Sequence, residues 1–292
     1  MPVKEEFNKF SADRDQVRID GIMARLAQVP EGEGIVTFIN HNNVRIELSD
    51  NPIHLAASGL VINNIKDGVW EYDKPAIFLK RSLNDDNLLQ AIVHEVGHLN
   101  QHLCKVGNPD RILSETETIL FYRAAEADAQ ALATEVTWAL KVAGDGKPWN
   151  ETCKVGYKDI CDAYQAKVTS DPASISDGSA KRVAFDTWFG NRARVAGYNE
   201  SSVNDMIPWL NRVRGVFKNS NMQEKPLDAG WVSRLDSVSP KPYLNTVGAR
   251  SLLTDALYRG DTATRKADFA NDNAKPAKAE PAPNPPMQSA PF

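Results

Sequence analysis

Histidine and cysteine are both scarce in this chain, with five and three residues respectively among 292. The cysteines, Cys104, Cys153 and Cys161, are odd in number and form no Cys-x-x-Cys pair. That excludes a disulfide framework and points to free thiols in a reducing compartment. No apolar run is long enough to span a bilayer. The opening MPVKEEFNKFSADRDQ lacks the apolar core of a secretory signal. A cytoplasmic protein is therefore expected, with non-classical export as an effector the other route this allows. Net charge is −4 and no long basic run is present, so neither nucleic acid nor an anionic membrane is an expected partner. Internal repeats are absent. The remainder, 42% hydrophobic and 25% charged, is that of a globular protein long enough for one large domain or two.

Three of the five histidines lie within nine residues, in Ala91–His102 (AIVHEVGHLNQH). His94-Glu95-Val96-Gly97-His98 is an HExxH pattern. On a helix, residues four apart lie on one face, so both imidazoles can bind one ion. Glu95 is turned about 100° from His94, given about 3.6 residues per turn. Its carboxylate can therefore reach a metal-bound water without ligating the ion, the arrangement of a general base in zinc peptidases. Leu88, Leu89, Ile92, Val93 and Val96 supply the apolar face that such a helix needs. The bland alternative is an amphipathic helix with two surface histidines.

The rest of the pattern predicts an α+β, mostly α-helical chain. Residues 1–14 read as a lead-in. Val17, Ile19, Ile22, Met23 and Leu26 mark a helix over 15–29, ended by Pro30 and the glycines after it. Ile35–Phe38 and Val44–Leu48 read as a hairpin around His41–Asn43. Residues 63–72 read as turn-rich, and Ala76–Leu79 as a short buried strand leading into the motif. Ser82 is the expected cap of the motif helix. Ser114-Glu115-Thr116-Glu117 is a capping box opening a long, alanine-rich helix that ends at Gly144. Residues 15–144 would form the core, with a small N-terminal sheet, the motif helix and an antiparallel second helix. After a polar connection over 145–152, residues up to 265 would form a helical C-terminal region packed on that core. The stretch 266–292, rich in Pro and Ala, reads as a disordered tail.

Two histidines and an open position for water leave one protein ligand to find. His102 stacks beyond His98, about 12 Å from His94 at about 1.5 Å per residue, rather than converging with it. It is expected at the surface or beside a ligand. The second helix must climb about 12 Å to come level with His98, and Glu126 stands about 16 Å up from Glu115 on the same rise. Glu117 lies too low and Glu135 overshoots. Asp128 points about 200° away from Glu126 and is either a buried supporting acid or the rival ligand. Gln130, on the Glu126 face with Tyr122, is a candidate to hydrogen-bond a ligand. Tyr72, Tyr122, His54 and Tyr198 are candidate donors to a developing oxyanion, and packing or exposure explains each as simply.

AIVHEVGHLNQ followed by RAAEADAQALA (Arg123–Ala133) resembles compact bacterial gluzincins. Among these are the phage-repressor-cleaving metallopeptidases and an uncharacterised bacterial metallopeptidase domain. AFDTWF (Ala184–Phe189) with Tyr198 resembles the downstream part of that domain. The resemblance covers roughly residues 15–200. It implies a zincin-like core, one Zn2+ per chain held by His94, His98 and Glu126, and Glu95 as catalytic base. The implied activity is metalloendopeptidase action on a protein or peptide substrate. Gln130 departs from the acid that larger gluzincins carry four residues after the third ligand. No helix-turn-helix partner region is recognisable, so the substrate of the repressor-cleaving group is not carried over. A non-catalytic interaction module and an effector acting on a host or rival protein are the competing readings.

Overall fold

The computed structural model describes residues 2–50, 64–66, 69–71, 75–103, 113–201, 227–235, 243–244, 253 and 255–259. The tail read over 266–292 and much of the helical C-terminal region read up to 265 fall outside them. Helix α1 spans Pro2–Leu26, so helical backbone begins well before residue 15. Helix α2 follows at once over Pro30–His41, where the pattern suggests the first arm of a hairpin. Pro30 opens this second helix instead of merely closing the first, since its missing N–H costs nothing there. Gly32 is needed for contact, because a Cβ there would sit 2.1 Å from the Leu26 carbonyl oxygen. Ile35 and Ile39, four apart, are its buried face.

Strand β1 (Arg45–Ser49) pairs with β4 (Ala76–Lys80), parallel and in register from Arg45 against Ala76 to Ser49 against Lys80. Between them lie β2 (Asn64–Lys66) and β3 (Val69–Glu71), a short antiparallel pair in the stretch that reads as turns. The first four residues of β4 are buried, matching its unbroken apolar run.

A tight turn carries β4 into α3 (Asp85–Leu103), the motif helix. Asn84 is its cap rather than Ser82: the Asn84 side-chain oxygen accepts from the Asn87 N–H at 2.8 Å. Arg18 of α1 staples the turn, donating to the Leu83 and Arg81 carbonyls and pairing with Asp85. Arg25 likewise ties α1 to Asp86 of α3 and Asp145 beyond the next helix.

Helix α4 (Glu115–Val142) starts where Ser114 accepts from the Glu117 N–H. It ends before Gly144, whose φ of +103° is a conformation that glycine adopts freely. From Thr118 to Thr137 every residue except Leu132 is buried, so α4 is the central helix of the protein. Its upper half (Ala133, Val136, Leu140) joins the core of α1, α2, α3 and the parallel sheet. Its lower half (Leu120, Phe121, Ala124, Ala127) joins a second core with the later helices. These are α5 (Lys147–Thr152), α6 (Lys158–Ser170), α7 (Ser179–Gly190) and α8 (Arg192–Ser201). Short helices α9 (Ala229–Val232) and α10 (Ala256–Arg259) follow. Helix α5 occupies the stretch that reads as a polar connection, anchored by buried Trp149 against Trp138 at 5.0 Å between ring centres. Among the described residues no helix is long and apolar enough to cross a membrane.

Candidate metal centre

Helices α3 and α4 run antiparallel, with Gly97 against Ala129 and Gln101 against Ala125. Glycine inside the motif is what lets them close: a Cβ on Gly97 would lie 3.0 Å from the Ala129 Cα and 3.1 Å from its Cβ. The alanines of α4 serve the same approach, since interaxial distance depends on the side chains at the contact.

That approach brings Glu126 up to the two histidines. His94 Nε2 and His98 Nε2 stand 3.1 Å apart. Glu126 Oε2 is 3.4 Å from His94 Nε2, and its Oε1 is 3.3 Å from His98 Nε2. A tetrahedron with ligand bonds of about 2.0–2.1 Å has edges of about 3.3–3.4 Å. The His–His and nearest His–carboxylate separations are of that order, the two imidazoles face different oxygens of Glu126, and one ligand atom from each residue lies within 4.8 Å of the others. Two imidazoles with a carboxylate are the donor set of a transition-metal ion. These are the three residues that can hold a metal together among the described residues.

The orientation of His98 follows from its neighbours. The Gln101 amide nitrogen donates to the Ala125 carbonyl at 2.9 Å and to Asp128 Oδ2 at 2.8 Å. A backbone carbonyl only accepts, so the nitrogen must face it and Oε1 must face His98 Nδ1, 3.1 Å away. Nδ1 therefore carries a proton and Nε2 is directed at the metal position. Asp128 points away from the ligands and also accepts from the Tyr243 hydroxyl at 2.5 Å. Gln130, the expected hydrogen-bond partner of a ligand, is fully buried, and neither amide atom finds a partner among the described residues. Gln101 takes that place, three residues after His98 and on its face of the helix. The side chain of His102, and all of His54 and Tyr72, lie outside the described residues.

Charges converge here. Burial opposes the His98 imidazolium, yet the Glu126 carboxylate beside it holds its pKa up to about 9. Burial likewise works against the Glu126 carboxylate, but the two imidazoles keep it well below the usual carboxylate range. Glu95 is pushed up by burial, with His98 and His94 offsetting part of the effect.

Tyr157, which no motif in the sequence singles out, also lies near the site. Helix α5 packs on both α3 and α4, with Glu151 in contact with Asn87 at 3.5 Å. A π-helical turn over Cys153–Tyr157 follows and brings the Tyr157 phenol within the influence of the Glu126 and Glu95 charges. Arg194 clamps the turn, donating to the Gly156 carbonyl and pairing with Asp159, its guanidinium 5.3 Å from the Tyr157 ring centre. Tyr157 bonds to Tyr198, and burial and then the Glu126 charge raise the pKa of both phenols. Tyr198 in turn packs against Tyr122, 5.8 Å between ring centres and one turn below Glu126 on α4. The Tyr122 ring thus packs beneath the site.

The family model described as Putative metallopeptidase family (DUF6782) matches residues 12–229. The chain belongs to this family. The match takes in the motif helix, Glu126 and the tyrosines of the site, and the family's description fits a centre built from two histidines and a carboxylate. No curated protein and no solved structure matches the chain.

Proposed function

We propose that this family member is a zinc-dependent endopeptidase with a gluzincin site on a zincin-like core. The observation that carries the reading is the convergence of His94, His98 and Glu126, one ligand atom from each lying within 4.8 Å of the others. Zinc held there would supply a Lewis acid that polarises the scissile carbonyl and acidifies water. The chain does the rest. Glu95 takes the proton of the attacking water and delivers it to the leaving amine. Burial pushes its pKa upward, towards the range in which a base works near neutral pH. The Tyr157–Tyr198 pair supplies hydroxyl donors to the oxygen on which negative charge develops. Gln101 keeps His98 in the tautomer whose Nε2 accepts a metal.

The test is metal content and chelation. Purified chain should carry one zinc, lose hydrolysis of labelled casein on treatment with a chelator, and recover it on addition of zinc. A chain that binds no zinc even when supplied with it overturns the reading.

The ion pair of the metal-free site adds a pH dependence. His98, with its pKa raised from 6.5 to about 9, is protonated at neutral pH when no metal is bound. Zinc must displace that proton, so its affinity should rise by up to about tenfold per pH unit between roughly 6.5 and 9. The sign for the metal-free fold is opposite. The His98 contribution is fully present below pH 6.5 and is lost as pH rises through about 9, whereas the Glu126 contribution runs the other way, present above 4.5 and lost as pH falls. Zinc titration in buffers of different ionisation enthalpy measures the proton released, expected near one per zinc at pH 7.5. A value near zero would contradict the His98–Glu126 pairing.

A further inference from the structure

The chain of bonds that begins at His98 does not end within the family-matched stretch. It runs from His98 Nδ1 to Gln101, from Gln101 to Asp128, and from Asp128 to Tyr243. Tyr243 lies beyond residue 229, where the family match stops. We propose that Tyr243 is a positioning residue for the metal ligand His98, acting through Asp128 and Gln101, so that the segment after residue 229 completes the metal site. This rests on the metal-site reading above.

The argument is one of polarity and burial. Asp128 is 6% exposed and Gln101 is 1% exposed, so their polar atoms rely on protein partners. Asp128 has two carboxylate oxygens. Oδ2 receives the Gln101 amide, and Oδ1 receives the Tyr243 hydroxyl. A carboxylate held at both oxygens cannot turn about its own axis. With the hydroxyl gone, Oδ1 loses its phenol partner, and the amide facing His98 loses part of the anchor that sets its direction. Tyr243 is well placed for this task. Its ring is buried, meets Phe185 edge-on at 5.7 Å between ring centres, and lies 5.0 Å from the Lys181 ammonium. Lys181 is itself buried and pairs with Glu135 of α4 at 3.5 Å. The hydroxyl is thus aimed at Asp128 by a rigid frame.

Zinc itself is the probe, so no substrate is needed. Affinity is measured on the full chain by competition with a chromophoric chelator, and thermal unfolding is measured on the metal-free form. Tyr243→Phe keeps the ring and removes the hydroxyl, and should weaken zinc binding about 10- to 100-fold, the usual effect of losing a partner behind a ligand. Tyr258→Phe is the control. It removes a hydroxyl from the same core, one bonded to Asp186 and Arg182, and should leave zinc affinity within about twofold while lowering stability. In a Gln101→Leu background, Tyr243→Phe should add no further loss. Zinc affinity unchanged in Tyr243→Phe, with stability lowered as in Tyr258→Phe, overturns the proposal and leaves the metal site standing. Full additivity with Gln101→Leu overturns the route. Wild-type chain that binds zinc no better than His94→Ala/His98→Ala overturns the metal site and the proposal with it. Should Tyr243→Phe fail to fold, Asp128→Asn reads the same link, and unaltered zinc affinity there is equally fatal.

Discussion

Glu95→Gln leaves one zinc per chain in place and cuts hydrolysis by about 10²- to 10⁴-fold, the range that a positioned general base supplies. The separation of the two effects follows from helix geometry. Glu95 is turned about 100° from His94 at about 3.6 residues per turn, and the metal-facing atoms belong to His94, His98 and Glu126. Gln retains the size and the hydrogen-bonding ability of the buried side chain but cannot take a proton. Replacement also removes an anion that lies within reach of both imidazoles, so zinc affinity should change much less than rate. The measurement pairs zinc content with initial rates on labelled casein. Turnover retained at the wild-type level would sink the base assignment. Zinc lost together with activity would mean that Glu95 belongs to the ligand set.

What was legible in the chain was whatever a single helix encodes. The HExxH spacing places two imidazoles on one face, the Ser114 box sets where α4 begins, and counting the rise from there reaches Glu126. Each of these depends on neighbours three to eleven residues away. The misread elements turned on contacts with other parts of the chain. Ile35–Phe38 is β-branched and apolar, as a strand would be. It is helical because Ile35 and Ile39 face the core beside α1 and because Gly32 lets the chain pass the Leu26 carbonyl. Lys147–Thr152 carries Lys, Asn and Glu yet forms a helix, since Pro148 can open one and Trp149 anchors it to Trp138 and Tyr164. The support for His98 was half visible. Gln101 could have been found from its three-residue spacing after His98. Tyr243 could not, because 115 residues separate it from Asp128 and no pattern at that distance pairs a phenol with an acid. Gln130 attracted the role by analogy of position on α4, but Gln101 on α3 is closer to the Nδ1 that needs an acceptor.

Glu126→Ala abolishes stoichiometric zinc binding at micromolar metal, whereas Asp128→Ala still binds one zinc, more weakly. The two acids differ by two residues and both are buried, at 5% and 6% exposure, so burial cannot tell them apart. Direction does. Two residues along a helix turn the side chain by about 200°. Glu126 therefore faces the two Nε2 atoms at 3.3 and 3.4 Å, while Asp128 faces Gln101 and Tyr243. On the proposed assignment, removing Glu126 takes away one of three ligands and the charge that offsets the cation, leaving only the two imidazoles. Removing Asp128 leaves all three ligands but frees the Gln101 amide, and the loss of such a partner costs about 10- to 100-fold in affinity. Titration at saturating zinc separates the two: a stoichiometry near zero for Glu126→Ala against one for Asp128→Ala. The reverse result would move the third ligand to Asp128. It would also require α4 to be rotated by about half a turn relative to α3, away from the Gly97–Ala129 contact.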